Sequence, residues 1–118
     1  MTDIHKAYEI LELANESIKL AKQYEVARSS AGKARADIDL LLTAHFNQIR
    51  SQKSNVGYDL AILMLIDIVP EAGEIYRTLQ IQTAKYRGLE KIIDAYKTKI
   101  SLQQSIMKYQ LEGERGGL

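Results

Sequence analysis

The residues able to do chemistry are few and poorly placed for it. His5 and His45 are the only histidines, and neither has a carboxylate at metal-ligand spacing in a recognised motif: Asp3 directly precedes the residue before His5, and Asp37 stands eight residues from His45. Carboxylates pair at Glu9 with Glu12, Asp37 with Asp39 and Glu71 with Glu74; two at the three-residue spacing could share a proton or a magnesium ion, although on exposed helix faces such pairs are solvated. There is no cysteine, which removes disulfides, thiolate zinc sites and cysteine nucleophiles together. No glycine-rich phosphate loop, nucleophile elbow or triad order occurs. The chain is therefore read as non-enzymatic, with no metal and no cofactor expected.

The remaining candidate is a basic run with aromatics. Lys85, Arg87, Lys91, Lys97 and Lys99 fall in one segment with Tyr86, Tyr96 and Tyr109, and with Glu90 and Asp94 interleaved. Cations beside stacking rings can hold a single-stranded nucleic acid or a nucleotide. A formal net charge of +1 over 118 residues excludes binding driven by bulk positive charge, so a nucleic-acid role would rest on these five residues.

That segment belongs to the element around which the chain is organised. From Pro70 to Glu112 there is no second proline, and steps of three and four from Ala72 land on Ile75, Leu79, Gln82, Tyr86, Leu89, Ile93, Tyr96, Ile100, Gln103 and Met107. This is a coiled-coil seam broken only by two glutamines. Pro70 suits a first turn, and Glu71 and Glu74 complement the positive end of the helix dipole. Gly113, Gly116 and Gly117 are expected to end the helix, leaving 113–118 as a flexible tail.

Upstream, Thr2 is a candidate cap and Asp3 a first-turn acid. Ile4, Ala7, Leu11, Ala14, Ile18 and Ala21 repeat the three-four rhythm, with Tyr8 and Leu20 beside it. Ala27, Ala31, Ala34, Ile38, Leu41, His45 and Ile49 continue the pattern. The spacing predicts one helix over 3–50, with a kink at Gly32 as the alternative to continuity. If it runs antiparallel to the last helix, Gly32 is expected to face Gly88 and allow a close approach. Polar residues 51–57 form the connection, and 58–68 is a short helix apolar on every side.

The expected fold is all-α: a long antiparallel helical hairpin, coiled-coil-like, with the short apolar helix between helices 3–50 and 70–112, all in one domain over 1–112. Leu60, Met64, Leu65 and Ile68 are expected to be covered by a second copy, giving a homo-oligomer, most simply a dimer, with burial of the short helix wholly inside its own chain as the alternative. The longest apolar run, Leu60 to Ile66, is too short to span a bilayer, and the chain does not open with a signal-peptide pattern, so a cytoplasmic protein is expected.

The stretch Ala84–Tyr109, with its Tyr86-Arg87-Gly88-Leu89 start, its Ile100-Ser101-Leu102-Gln103-Gln104-Ser105 centre and its Lys108-Tyr109 end, resembles the C-terminal helix of small helical phage and prophage proteins encoded near recombination and single-strand-binding genes. The resemblance carries no catalytic residue. It implies an accessory protein that works by binding a partner, with two alternatives: a nucleic-acid or nucleotide-binding factor in phage recombination or replication, or an inhibitor of a host defence component.

Overall fold

The computed structural model describes residues 2–116, and the side chains of 4–113. Four helices follow one another: α1 (Thr2–Ala44), α2 (Phe46–Gln52), α3 (Tyr58–Ile68) and α4 (Ala72–Gly116), with no strand among the described residues. The expected capping by the Thr2 and Asp3 side chains lies outside the described residues. By their contacts the helices group into two compact units, Met1–Glu25 with Arg87–Leu118, and Val26–Tyr86.

The Val26–Tyr86 unit holds the core. Ile38 of α1, Ile49 of α2, Ile62 and Leu65 of α3 and Ala72 of α4 are buried together, with Leu41, Leu42, Val56, Met64, Ile68 and Ile75 packed around them. The helices α1, α2 and α3 each supply one or two large side chains and α4 supplies an alanine, so the face of α3 that carries Ile62 and Leu65 is covered by its own chain. This corrects the expectation for α3. Leu65 is completely buried and cannot meet a second copy, Met64 and Ile68 are half-buried against the core, and of the four residues only Leu60 is exposed, at 39%. A girdle apolar all round needs cover on every side, and the reading of α3 left out the fold-back of α2.

The first helix stays regular through Gly32 and is interrupted at His45, whose backbone (φ −108°, ψ 14°) leaves the α region. The His45 N–H still donates to the Leu41 carbonyl and the Ile49 N–H to the His45 carbonyl, both at 3.0 Å, so the break redirects the chain without freeing these groups. That redirection brings Ile49 to the core.

At the other corner the Ala72 N–H donates to the Val69 carbonyl and the Gly73 N–H to the Pro70 carbonyl. Pro70 thus occupies a tight turn before α4, where its missing N–H is no loss. Still within this unit, Ala27, Ala31 and Ala34 are buried on α1, and Ser30, Lys33 and Ala34 share a hollow with Ile75 and Thr78 of α4. Gly32 lies on the turn of α1 that shares this hollow with Thr78. A Cβ placed on Gly32 or on Gly88 meets nothing within 4 Å, so neither glycine serves a close approach.

In the unit of Met1–Glu25 and Arg87–Leu118, Lys6 Nζ donates to Gln103 Oε1 at 3.4 Å. Glu9, Glu12, Leu13 and Glu16 share a hollow with Tyr96, Lys99 and Gln103, and Ala21 and Tyr24 share another with Glu90, Ile93 and Lys97. All eleven seam positions of α4 from Ala72 to Met107 are buried or half-buried, as the spacing predicts, and Gln110 continues the row. The helix runs through Gly113 to Gly116, past the expected end at Glu112. A glycine inside a helix costs about 1 kcal/mol relative to alanine and does not by itself end it.

Candidate functional site

The row of α1 that meets α4 differs from the one the sequence suggests. Half-buried side chains in the first unit fall at Lys6, Ile10, Leu13, Ser17, Leu20 and Tyr24, and the same three-four rhythm leads into the buried Ala27, Ala31, Ala34 and Ile38. The expected row is mostly open: Ile4 is 64% exposed, Leu11 and Ile18 are 55% exposed, Ala7 and Ala21 are exposed, and only Ala14 is half-buried. At about 100° per residue the two rows lie about 110° apart around α1. The first half of α1 therefore carries two seams. One is used within the chain, and the other, flanked by the 64% exposed Tyr8, has no partner among the described residues.

The open seam alternates large and small residues: Ile4, Leu11 and Ile18 at seven-residue spacing, with Ala7, Ala14 and Ala21 between them. It ends where Glu25 and Arg28 take the next two positions. A large apolar residue exposed singly is ordinary, whereas here three of them hold one helix face over several turns. On α4 of the same unit, Leu102 and Tyr109 are exposed at 59% and 79%, also seven residues apart.

The basic candidates do not form a strip. Lys85, Arg87, Lys91, Lys97 and Lys99 are all exposed. Measured around α4 from Arg87, Lys91 lies at about 40°, Lys99 at about 120° and Lys97 at about −80°, with Asp94 at about −20° and Glu90 at about −60° between them. The carboxylates fall on the face that the cations would need to keep free. Tyr86 and Tyr96 are half-buried in the seam, and Tyr109 alone is open for stacking.

Among the described residues no three His, Cys, Asp or Glu side chains come together as a metal site. His5 is exposed, His45 is half-buried, and Asp39 accepts the Tyr58 hydroxyl hydrogen bond at 2.8 Å. Tyr58, the first residue of α3, also lies under Arg35, with the guanidinium 5.3 Å from the ring centroid. Burial, and next the hydrogen bond to the Asp39 carboxylate, hold its hydroxyl above the usual phenol pKa. The sequence reading missed this clamp. Its signal is a tyrosine opening an apolar helix, nineteen residues after an aspartate on a neighbouring one.

No protein-family model, curated protein or solved structure matches this chain. Its function has to be argued from its own surface.

Beside the Tyr58 clamp, a hollow of about 380 Å³ is lined by Phe46, Ile49, Arg50, Lys53, Val56 and Tyr58, with Leu42 and Ala61 at its base. Leu42, Ile49 and Val56 also belong to the core cluster, so the hollow is the unfilled edge of that core. Arg50 rests 5.8 Å over the Phe46 ring at its rim. No helix among the described residues is long and apolar enough to cross a membrane.

Proposed function

We propose that this chain is a non-enzymatic helical protein-interaction module of the cytoplasm, with α1 and α4 as the arms of an antiparallel hairpin and the open seam of α1 as its docking surface. The hairpin reading is supported by partners whose numbers rise on one helix as they fall on the other: Lys6 with Gln103 and Tyr24 with Glu90 in one unit, Ser30 with Thr78 and Ala34 with Ile75 in the other. The observation that carries the function is the row Ile4, Leu11 and Ile18 held open over several turns. Heptad-spaced apolar residues fit another helix better than they fit a small molecule or a nucleic acid.

Lys85, Arg87, Lys91, Lys97 and Lys99 are solvated in this reading, and the place in phage DNA metabolism implied by the α4 resemblance would be filled through a protein partner. The double variant Leu11→Glu/Ile18→Glu tests the surface. Its helicity is expected to match the parent chain's, and its melting to match that of the parent at concentrations too low for association, because both side chains are solvent-facing, while association through α1 is lost. A variant that unfolds would show instead that the row is core, and the reading would fall.

A further inference from the structure

We infer that the partner helix on the open seam is α1 of a second copy, packed antiparallel about a two-fold axis between Glu12 and Leu13. This rests on the docking surface proposed above and names its occupant. In an antiparallel pair each large position of the seam meets a small position of the other helix. With the axis there, Leu11 faces Ala14 of the second copy, Ile18 faces Ala7 and Ile4 faces Ala21, so every layer holds one large residue and one alanine. A parallel pair would stack alanine on alanine and isoleucine on isoleucine, leaving alternate layers empty and overfilled.

The same chain therefore carries both halves of the fit, which is the requirement of an isologous interface. Between Ile4 and Ala21 the seam positions carry no charge, so pairing two identical copies places no like charges in the contact. Glu25 and Arg28 end it, which confines the contact to about five turns. Covering Ile4, Tyr8, Leu11, Ile18 and the three alanines on both copies buries roughly 1,000 Å², at the low edge of specific interfaces, so the dimer forms reversibly with concentration.

The full chain has no cysteine, so a single introduced cysteine carries a unique spin label. Glu12 and Gln23 are both exposed and lie more than 100° around α1 from the seam, so neither label disturbs the contact. In the antiparallel dimer, labels at residue 12 sit about 2 Å apart along the axis and labels at residue 23 about 30 Å apart, at 1.5 Å rise per residue. A parallel dimer gives matching separations at both sites, and that result overturns the proposal.

Sedimentation of the unlabelled chain provides the second readout. The mass is expected to double as concentration rises, and Ala7→Leu and Ala21→Leu, each of which crowds an isoleucine of the second copy, should weaken association about tenfold. Strengthening by these variants refutes the register. A chain that stays monomeric refutes the second copy as occupant, and an apolar dye then separates the two claims. Dye fluorescence that falls in Leu11→Glu/Ile18→Glu leaves the seam open for another protein, whereas fluorescence unchanged by that variant removes the docking surface as well.

Discussion

Replacing Leu65 by alanine separates a core role for α3 from an interface role. Leu65 is completely buried among Ile38, Ile49, Ile62 and Ala72, so truncation removes its transfer free energy and leaves a cavity that four anchored neighbours cannot close. The expected loss is about 3 kcal/mol, within the range measured for buried leucines. Against a total stability of roughly 5–15 kcal/mol that is a large fraction. At about 1.5 kcal/mol per molar urea, the midpoint followed by far-ultraviolet circular dichroism falls by about 2 M. Leu63→Ala on the same helix is the internal control: its side chain is 57% exposed, and its loss should be about 1 kcal/mol or less. Both measurements belong at one protein concentration, since association would shift the midpoint by mass action. If Leu65→Ala moved the midpoint by less than about 0.5 M while lowering the mass of the assembly, α3 would be an interface and the packing argument would fail.

Three further outcomes follow from named groups. Gly32→Ala and Gly88→Ala should each stabilise the chain by about 1 kcal/mol in thermal melts, because the added Cβ meets open space and a helical glycine is replaced; destabilisation at either would reinstate a close helix approach there. Gln110→Leu should raise the melting temperature, since the Gln110 Oε1 is buried without a hydrogen-bond partner and its removal relieves about 1 kcal/mol of desolvation. Tyr58 has a folded-state pKa above its unfolded value near 10, so the folded state holds its proton more tightly; its contribution is fully present below that unfolded value and is lost as pH rises through the folded one. Urea midpoints between pH 9 and 11 should therefore fall more steeply in the parent chain than in Tyr58→Phe, and parallel slopes would dissociate Tyr58 from the effect.

Much of α4 was legible because its apolar residues occupy one row and polar residues fill the rest. Even the two glutamines follow the rhythm: Gln103 is half-buried and receives Lys6 across the seam. The first half of α1 was harder for the same physical reason. It has two rows with the same period, and the one with more uniformly apolar residues, Ile4 to Ala21, is the open one, while the row against α4 includes Lys6 and Ser17. Periodicity reports that a face is apolar and is silent on what covers it. Stepping backward in threes and fours from Ala27 would have found Tyr24, Leu20, Ser17, Leu13 and Ile10, because a long helix keeps one register unless something interrupts it. The interruption at His45 has no proline or glycine to announce it, and past it Ile49 is buried in the core. The basic residues of α4 read as a strip only along the line of the sequence. Wound on a helix, they scatter around it, with Glu90 and Asp94 on the same face.

The placement of the two seams on α1 follows the thickness of its packing. In the Val26–Tyr86 unit α1 buries Ala27, Ala31, Ala34 and Ile38 where α2, α3 and α4 all contribute to the core, and the open row stops there, at Glu25 and Arg28. In the other unit the described partner of α1 is α4 alone, and a helix with a single neighbour buries only one stripe. A chain selected only for solubility would carry polar residues on the remaining faces. Three large residues at seven-residue spacing, alternating with three alanines, instead retain the layer-by-layer fit of a helix pair. Packing within the unit does not require that alternation, because Ile4, Leu11 and Ile18 are all more than half exposed. Its geometry suits an added helix, and the large-to-small match makes another α1 the simplest one to supply it.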